Sequence, residues 1–296
     1  MENVVYVNGE FVPKDEAKIS VFDHGYLYGD GIFEGIRAYN GRIFRLWDHI
    51  DRLYSSSKLI SLHFSLSKQE LVNLIRDTLR RNHLTDAYIR VVISRGKGTK
   101  LGLSPDLCPK PTIIIIAEES KNSYSDIEKV KGLSMIISSV RRDSIDGTTH
   151  EIKSQNYLNC VLALIEAKAL GTDDAIMLDS RGFVSESTTS NVFIVSKNKV
   201  LTPSSSSAIL HGVTRGRVLE LIPRLGYLCE VRDITPYELL AAEEAFLVGT
   251  KIEIAPIREV RGIMIGNNGQ VGELTKTIMK EFRKLTLSRR EGTSIR

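Results

Sequence analysis

Cysteine is scarce: Cys108, Cys160 and Cys229 are the three in 296 residues, with no close pairing and no metal-ligand spacing. That argues against a disulfide framework and for a reducing compartment with buried thiols. Long apolar runs are missing as well. Residues 113–117 form one of the longest, far short of a bilayer-spanning helix. The opening Met1-Glu2-Asn3-Val4 lacks the charged-then-apolar order of a leader. Neither sign of charge dominates: the net +4 is small and the basic residues are scattered, so no nucleic-acid stripe stands out. Repeats, low-complexity tracts and His/Cys/carboxylate groupings with metal spacing are absent from the sequence. The expectation is a cytoplasmic protein with no metal, no nucleic-acid partner and no membrane partner.

What is present is ordinary in bulk and unusual in places. A hydrophobic share of 42% and a charged share of 26% suit a soluble globular chain long enough for two domains. Glu151-Ile152-Lys153-Ser154-Gln155-Asn156-Tyr157-Leu158 stands out near the middle. Leu158, Val161, Leu162 and Ile165 repeat at helical spacing, which predicts a helix with this stripe as its apolar face. Ser154 is the expected N-cap and Gly171 the expected stop, so Lys153 would stand at the helix start with Tyr157 one turn away. A partly desolvated lysine there suits Schiff-base chemistry. Those eight residues alone fit a solvated lysine before an ordinary core helix better.

The rest of the chain supplies context. Asn8-Gly9 and Asn40-Gly41 between apolar runs predict two hairpins. In the second, strand alternation puts Phe33, Gly35 and Arg37 on one face and Ile32, Glu34, Ile36 and Ala38 on the other. The first face reads as a pocket floor or as an edge with a solvated arginine. Residues 48–59 read as a helix with Arg52 beside its apolar stripe, and Ser67 to Glu70 is a capping box. A strand over 88–93 places Tyr88 and Arg90 on one face. The polar stretch 118–129 reads as a linker. In the second half, Gly212-Val213-Thr214-Arg215 opens a helix whose start is either an anion site or an ordinary cap. Thr235-Pro236-Tyr237-Glu238 is a second capping box, and residues 273–285 form the last helix.

Together these pieces resemble the class IV aminotransferases, the fold-type IV pyridoxal-phosphate enzymes, and among them the branched-chain amino-acid aminotransferases. The resemblance runs in one order over residues 5–285. It is carried by Tyr28-Gly29-Asp30-Gly31-Ile32-Phe33-Glu34-Gly35-Ile36-Arg37, His49-Ile50-Asp51-Arg52-Leu53 and Ala87-Tyr88-Ile89-Arg90 in the first half. Ile152-Lys153-Ser154-Gln155-Asn156-Tyr157-Leu158-Asn159, Ser185-Glu186 with Asn191-Val192-Phe193, and Gly212-Val213-Thr214-Arg215 carry it in the second. Their order is more specific than any one of them.

The resemblance implies an α+β, two-domain fold of the D-amino-acid-aminotransferase type. A small N-terminal α/β domain (1–118) and a linker (119–129) would precede a larger C-terminal pseudo-barrel domain (130–296) carrying the cofactor lysine. It implies a homodimer or larger homo-oligomer, with the active site between the domains. It implies pyridoxal 5'-phosphate, held as an aldimine by Lys153 and bound by Arg52, Tyr157, Glu186, Val213, Thr214 and Thr250. Glu186 would pair with the ring nitrogen, Tyr157 with the ring oxygen, and the others with the phosphate. The substrate wall would comprise Phe33, Gly35, Arg37, Tyr88, Arg90 and Lys251, with Tyr28 reaching in from a neighbouring subunit.

The implied reaction moves an amino group between branched-chain L-amino acids and 2-oxoglutarate, a step of branched-chain amino-acid biosynthesis. Three differences from the family pattern bear on the substrate: Lys251-Ile252 where small residues are usual, the run Ser185 to Ser190 in place of a glycine-rich one, and a longer 95–103 loop with Lys97 and Lys100. The other readings are a D-amino-acid or (R)-amine transaminase, an aminodeoxychorismate lyase, and a non-enzymatic scaffold on the same fold.

Overall fold

Both Asn-Gly pairs turn hairpins, because each residue adopts left-handed backbone: φ is 50° and 109° at Asn8 and Gly9, and 47° and 76° at Asn40 and Gly41. The structure is a computed structural model and describes residues 3–120, 130–144 and 146–296.

In chain order the first elements are β1 (Val4–Val7), β2 (Glu10–Pro13), α1 (His24–Tyr28), β3 (Gly31–Tyr39) and β4 (Arg42–Phe44). Next come α2 (Leu46–Leu59), α3 (Lys68–Arg81), β5 (Ala87–Ser94), β6 (Thr112–Glu119) and β7 (Leu133–Ile137). The middle holds α4 (Leu158–Ala169), β8 (Asp174–Leu178), β9 (Val184–Ser187), β10 (Asn191–Ser196) and β11 (Lys199–Thr202). Then follow α5 (Val213–Arg224), β12 (Leu228–Val231), α6 (Pro236–Leu240), β13 (Glu244–Gly249) and β14 (Glu253–Val260). The last are β15 (Ile263–Met264), α7 (Glu273–Thr286) and β16 (Gly292–Ser294).

The chain divides into two compact units. The first comprises Met1–Lys121, Ile152–Asn156 and Thr286–Arg296; the second comprises Asn122–Glu151 and Tyr157–Leu285. In the first, the described residues form a seven-stranded antiparallel sheet in the order β16-β4-β3-β5-β6-β1-β2. One face carries Ile32, Ile36 and Ala38 of β3 with Ile89, Val91 and Ile93 of β5, packed with Ile50 and Leu53 of α2 and Leu71, Ile75 and Leu79 of α3. The Ser67 capping box forms as expected. A cap contributes about 1 kcal/mol and each buried leucine or isoleucine about 2, so core burial dominates in holding α3 to the sheet.

Two assignments differ from the sequence reading. Residues 152–156 and 286–296 cluster with the first unit rather than with the chain beyond residue 130. The cause is backbone pairing. Ser154 bridges Ile32, the Phe33 N–H donates to the Lys153 carbonyl at 3.0 Å, and the Gln155 N–H donates to Gly31 at 2.9 Å. At the other end, β16 extends the sheet against β4. The expected linker begins with Glu119 at the end of β6 and Ser120 beyond it, and its residues 121–129 lie outside the described residues.

In the second unit the described residues form a nine-stranded sheet in the order β12-β11-β10-β13-β14-β7-β8-β9, with β15 paired to β14. The path from β10 to β9 returns to its start through Asn191 and Glu186, which closes a barrel-like sheet. Its core includes Ile176, Val192, Ile194, Leu247, Ala255 and Ile257.

Helix α4 corrects two expectations at once. It begins at Leu158 with Tyr157 at the N-cap position, so Ser154 does not cap it and Lys153 lies ahead of the helix, in a segment bridged to β3. Tertiary pairing to β3 overrides the local capping preference there. The apolar stripe faces outward: Leu158 is 71% exposed and Ile165 59%. The inward face is Cys160, Ala163 and Ala167, packed with Ile136, Ala175 and Met177. Small side chains let the helix approach the sheet closely, so the larger ones are left on the other side.

Candidate active site

In the first unit, alternation along β3 gives Phe33, Gly35 and Arg37 the face opposite the helices. The register sets Gly35 beside Arg90 and Arg37 beside Tyr88 on β5. The Arg90 guanidinium carbon lies 3.3 Å from the Phe33 ring centroid, and the Lys153 Nζ lies 4.6 Å from the same ring. One phenylalanine therefore carries two cations, which its ring quadrupole favours. A Cβ at position 35 would overlap the Tyr88 hydroxyl, so glycine there lets the phenol lie across the strand. Arg37 is buried, stacks on Tyr39 with its guanidinium carbon 4.8 Å from the centroid, and donates to the Ser120 carbonyl at 3.4 Å.

The backbone of Lys153 is held on both sides. Its carbonyl accepts from Phe33, and its N–H donates to the Ser56 hydroxyl on α2 at 3.3 Å. The same helix carries Arg52, whose Nε and Nη2 each donate to an oxygen of Glu34 at 2.7 Å. Glu34 also accepts from His49 Nδ1 at 2.7 Å. Burial alone would raise the Glu34 carboxyl, but Arg52 and His49 outweigh it and hold the pKa at about 2. His49 is pushed below its ordinary value, first by burial and further by Arg52 and Lys153, despite Glu34. The sequence reading placed Arg52 and missed both partners. The signal was a carboxylate among Ile32, Ile36 and Ala38 on a core-facing register, which requires a nearby cation.

In the second unit, Glu186 stands at the strand pair that closes the barrel and is 5% exposed. One oxygen is ion-paired with Arg142 Nη2. The other accepts from Asn191 Nδ2 at 2.7 Å and from the Leu210 N–H at 3.2 Å. Arg142 also donates to Cys160 Sγ at 2.8 Å. Burial opposes its charge, yet Glu186 and Cys160 leave its pKa above the ordinary value. Arg142 sits in the turn-rich stretch before Lys153, where nothing in the local sequence marked it.

Asn191 connects the carboxylate to the start of α5. Its amide donates to the Leu210 carbonyl at 2.9 Å, and a Cβ at Gly212 would overlap its Oδ1. Gly212 is the N-cap of α5 and has no side chain to satisfy the first-turn amides of Val213 and Thr214. That turn has no acidic residue, and the Thr214 side chain is buried. A twelve-residue helix beginning this way presents free donor capacity and positive potential at one point.

The remaining candidates are placed as follows. Tyr157, half-buried, packs with the α4 cluster. Thr250 and Lys251 form the turn from β13 to β14, Thr250 half-buried and Lys251 exposed. Tyr28 is 38% exposed and meets His24 edge-on, with ring centroids 5.0 Å apart. Lys97 and Lys100 are exposed on the glycine-rich loop. The structure thus groups Lys153, Phe33, Gly35, Arg37, Tyr88, Arg90 and Arg52 in the first unit, and Tyr157, Glu186, Val213, Thr214, Thr250 and Lys251 in the second. Among the described residues no helix is long and apolar enough to cross a membrane.

Comparison with known proteins gives the constellation a family. The family model for amino-transferase class IV matches residues 31–260. A Methanocaldococcus jannaschii protein provisionally named a branched-chain-amino-acid aminotransferase is 46% identical over 95% of this chain and 96% of its own. The branched-chain-amino-acid aminotransferase of Escherichia coli K12 is 34% identical over 94% of this chain and 91% of its own. The crystal structure of the branched-chain amino acid aminotransferase from Thermobaculum terrenum, in its PLP-bound holo-form, superposes with a TM-score of 0.89 at 29% identity. It covers 100% of this chain and 99% of that one. With a matched region running from the start of β3 to the end of β14, the chain belongs to the class IV aminotransferases.

Proposed function

We propose that this chain is a pyridoxal 5'-phosphate-dependent transaminase that moves an amino group between branched-chain L-amino acids and 2-oxoglutarate. The observation that carries the reading is the state of Lys153: a half-buried amine against the Phe33 ring, on backbone pinned by Phe33 and Ser56. The names of the relatives support the substrate class.

The residues fit the cofactor chemically. A buried carboxylate ion-paired with an arginine suits a protonated ring nitrogen, and a helix start without acidic residues suits a phosphate. When bound, the cofactor supplies an aldehyde carbon to carry the amino group and a ring to accept electrons. Lys153 would hold that carbon, take the proton from the substrate α-carbon and return it at C4′. Glu186 would keep the ring nitrogen protonated, and Tyr157 would donate to the ring oxygen. Arg52, the Val213 and Thr214 amides and the Thr214 and Thr250 hydroxyls would bind phosphate.

Phe33 and Gly35 would form the apolar wall for the branched side chain. Tyr88, Arg90 and Arg37 would orient carboxylates, Arg90 that of the glutamate side chain. Lys251 would narrow the pocket or add charge beside the substrate carboxylate. We assign the enzyme to the cytoplasm as a homodimer or larger assembly, with Tyr28 reaching a neighbouring copy.

Half-reaction kinetics test the substrate. L-leucine is expected to remove the cofactor's visible absorbance faster than D-alanine or an aromatic amine. Faster conversion by D-alanine would overturn the branched-chain assignment in favour of the D-amino-acid one.

A further inference from the structure

Helix α2 presents His49, Arg52 and Ser56 at helical spacing, and each meets something the site uses. Ser56 takes the Lys153 backbone, while His49 and Arg52 both meet Glu34. Glu34 has no exposed side-chain surface, and Arg52 exposes only 13% of its own. Two carboxylate oxygens receive three donors, two from one guanidinium edge and one from the imidazole. An ionised carboxylate only accepts, so His49 must carry its proton on Nδ1. As a neutral ring, it then lacks one on Nε2.

We propose that Glu34 is the positioning residue of Arg52, fixing the guanidinium plane before a cofactor phosphate arrives, with His49 fixing Glu34 in turn. This rests on the reading that Arg52 binds the phosphate. Two effects of Glu34 on that phosphate oppose each other. Its charge offsets part of the arginine's attraction, while its two-point contact removes rotamers that the long stem would otherwise lose on binding. The second effect prevails because arginine recognises phosphate through a planar, directional edge. Without Glu34, a largely buried guanidinium would also turn toward other acceptors.

The test compares affinities of the full chain, stripped of cofactor, for pyridoxal 5'-phosphate and for pyridoxal. Their ratio isolates what the phosphate contributes. Glu34→Gln is expected to lower the ratio by about tenfold or more while leaving pyridoxal affinity unchanged. Arg52→Gln should lower it at least as far. A Glu34→Gln ratio equal to that of the unaltered chain, or equal weakening toward both ligands, overturns the proposal. A ratio unchanged in Arg52→Gln overturns the phosphate reading itself and the proposal with it. If Glu34→Gln does not fold, His49→Leu serves: it removes one of three donors and should lower the ratio by about threefold, with His49→Asn restoring it. No loss in His49→Leu contradicts the arrangement.

Discussion

Lys153→Ala is expected to abolish the visible absorbance of bound cofactor and to lower turnover by at least about 10³-fold, because in the proposed function one amine would both anchor the cofactor and move the proton. The fold should survive. Lys153 is half-buried and its side-chain contact with Phe33 is a cation–π approach, worth about 0.5–1 kcal/mol at a partly exposed site. The backbone contacts to Phe33 and Ser56 do not involve the side chain and remain in the variant. Absorbance and turnover should therefore fall while the urea midpoint barely moves. Retained absorbance with retained turnover would remove Lys153 from the chemistry.

Glu186→Gln should separate electrostatics from binding. Glutamine has nearly the same shape and can still accept from Asn191, but it cannot hold a proton on a ring nitrogen. Turnover is expected to fall by about 10²–10⁴-fold with the visible absorbance retained. The same change leaves the buried Arg142 without its counter-charge, and breaking such a pair costs about 3 kcal/mol. Adding Arg142→Met relieves the uncompensated charge, so the double variant should regain stability without regaining turnover. Recovery of both together would mean that Glu186 acts only through the fold. Stability is read from urea unfolding and turnover from leucine-dependent glutamate formation.

Features set by neighbouring residues could be read before the structure. Asn-Gly turns and the capping boxes at Ser67 and Thr235 involve a few adjacent side chains, and each forms where the pattern placed it. Strand alternation likewise separated Phe33, Gly35 and Arg37 from the core face of β3. Features set by distant partners could not be read. Ser154 looks like a cap only until β3 takes its segment into a strand pair. The stripe from Leu158 to Ile165 looks like a core face only while Cys160, Ala163 and Ala167 are discounted for their size. Arg142 carries no local mark because its importance lies in Glu186, farther along the chain, and Glu34 is marked only by its place on the core face of β3, which does not name Arg52 as its partner. Single chemistry-bearing residues could be nominated from motifs; the ion pairs that set their charge and direction needed coordinates.

The most direct measurement is chemical. The holoenzyme is reduced with borohydride, digested and mapped by mass spectrometry for the phosphopyridoxyl group. That group is expected on the peptide containing Lys153 and on no other. Attachment at a different lysine, or none at all in a protein that turns over leucine, would contradict that expectation.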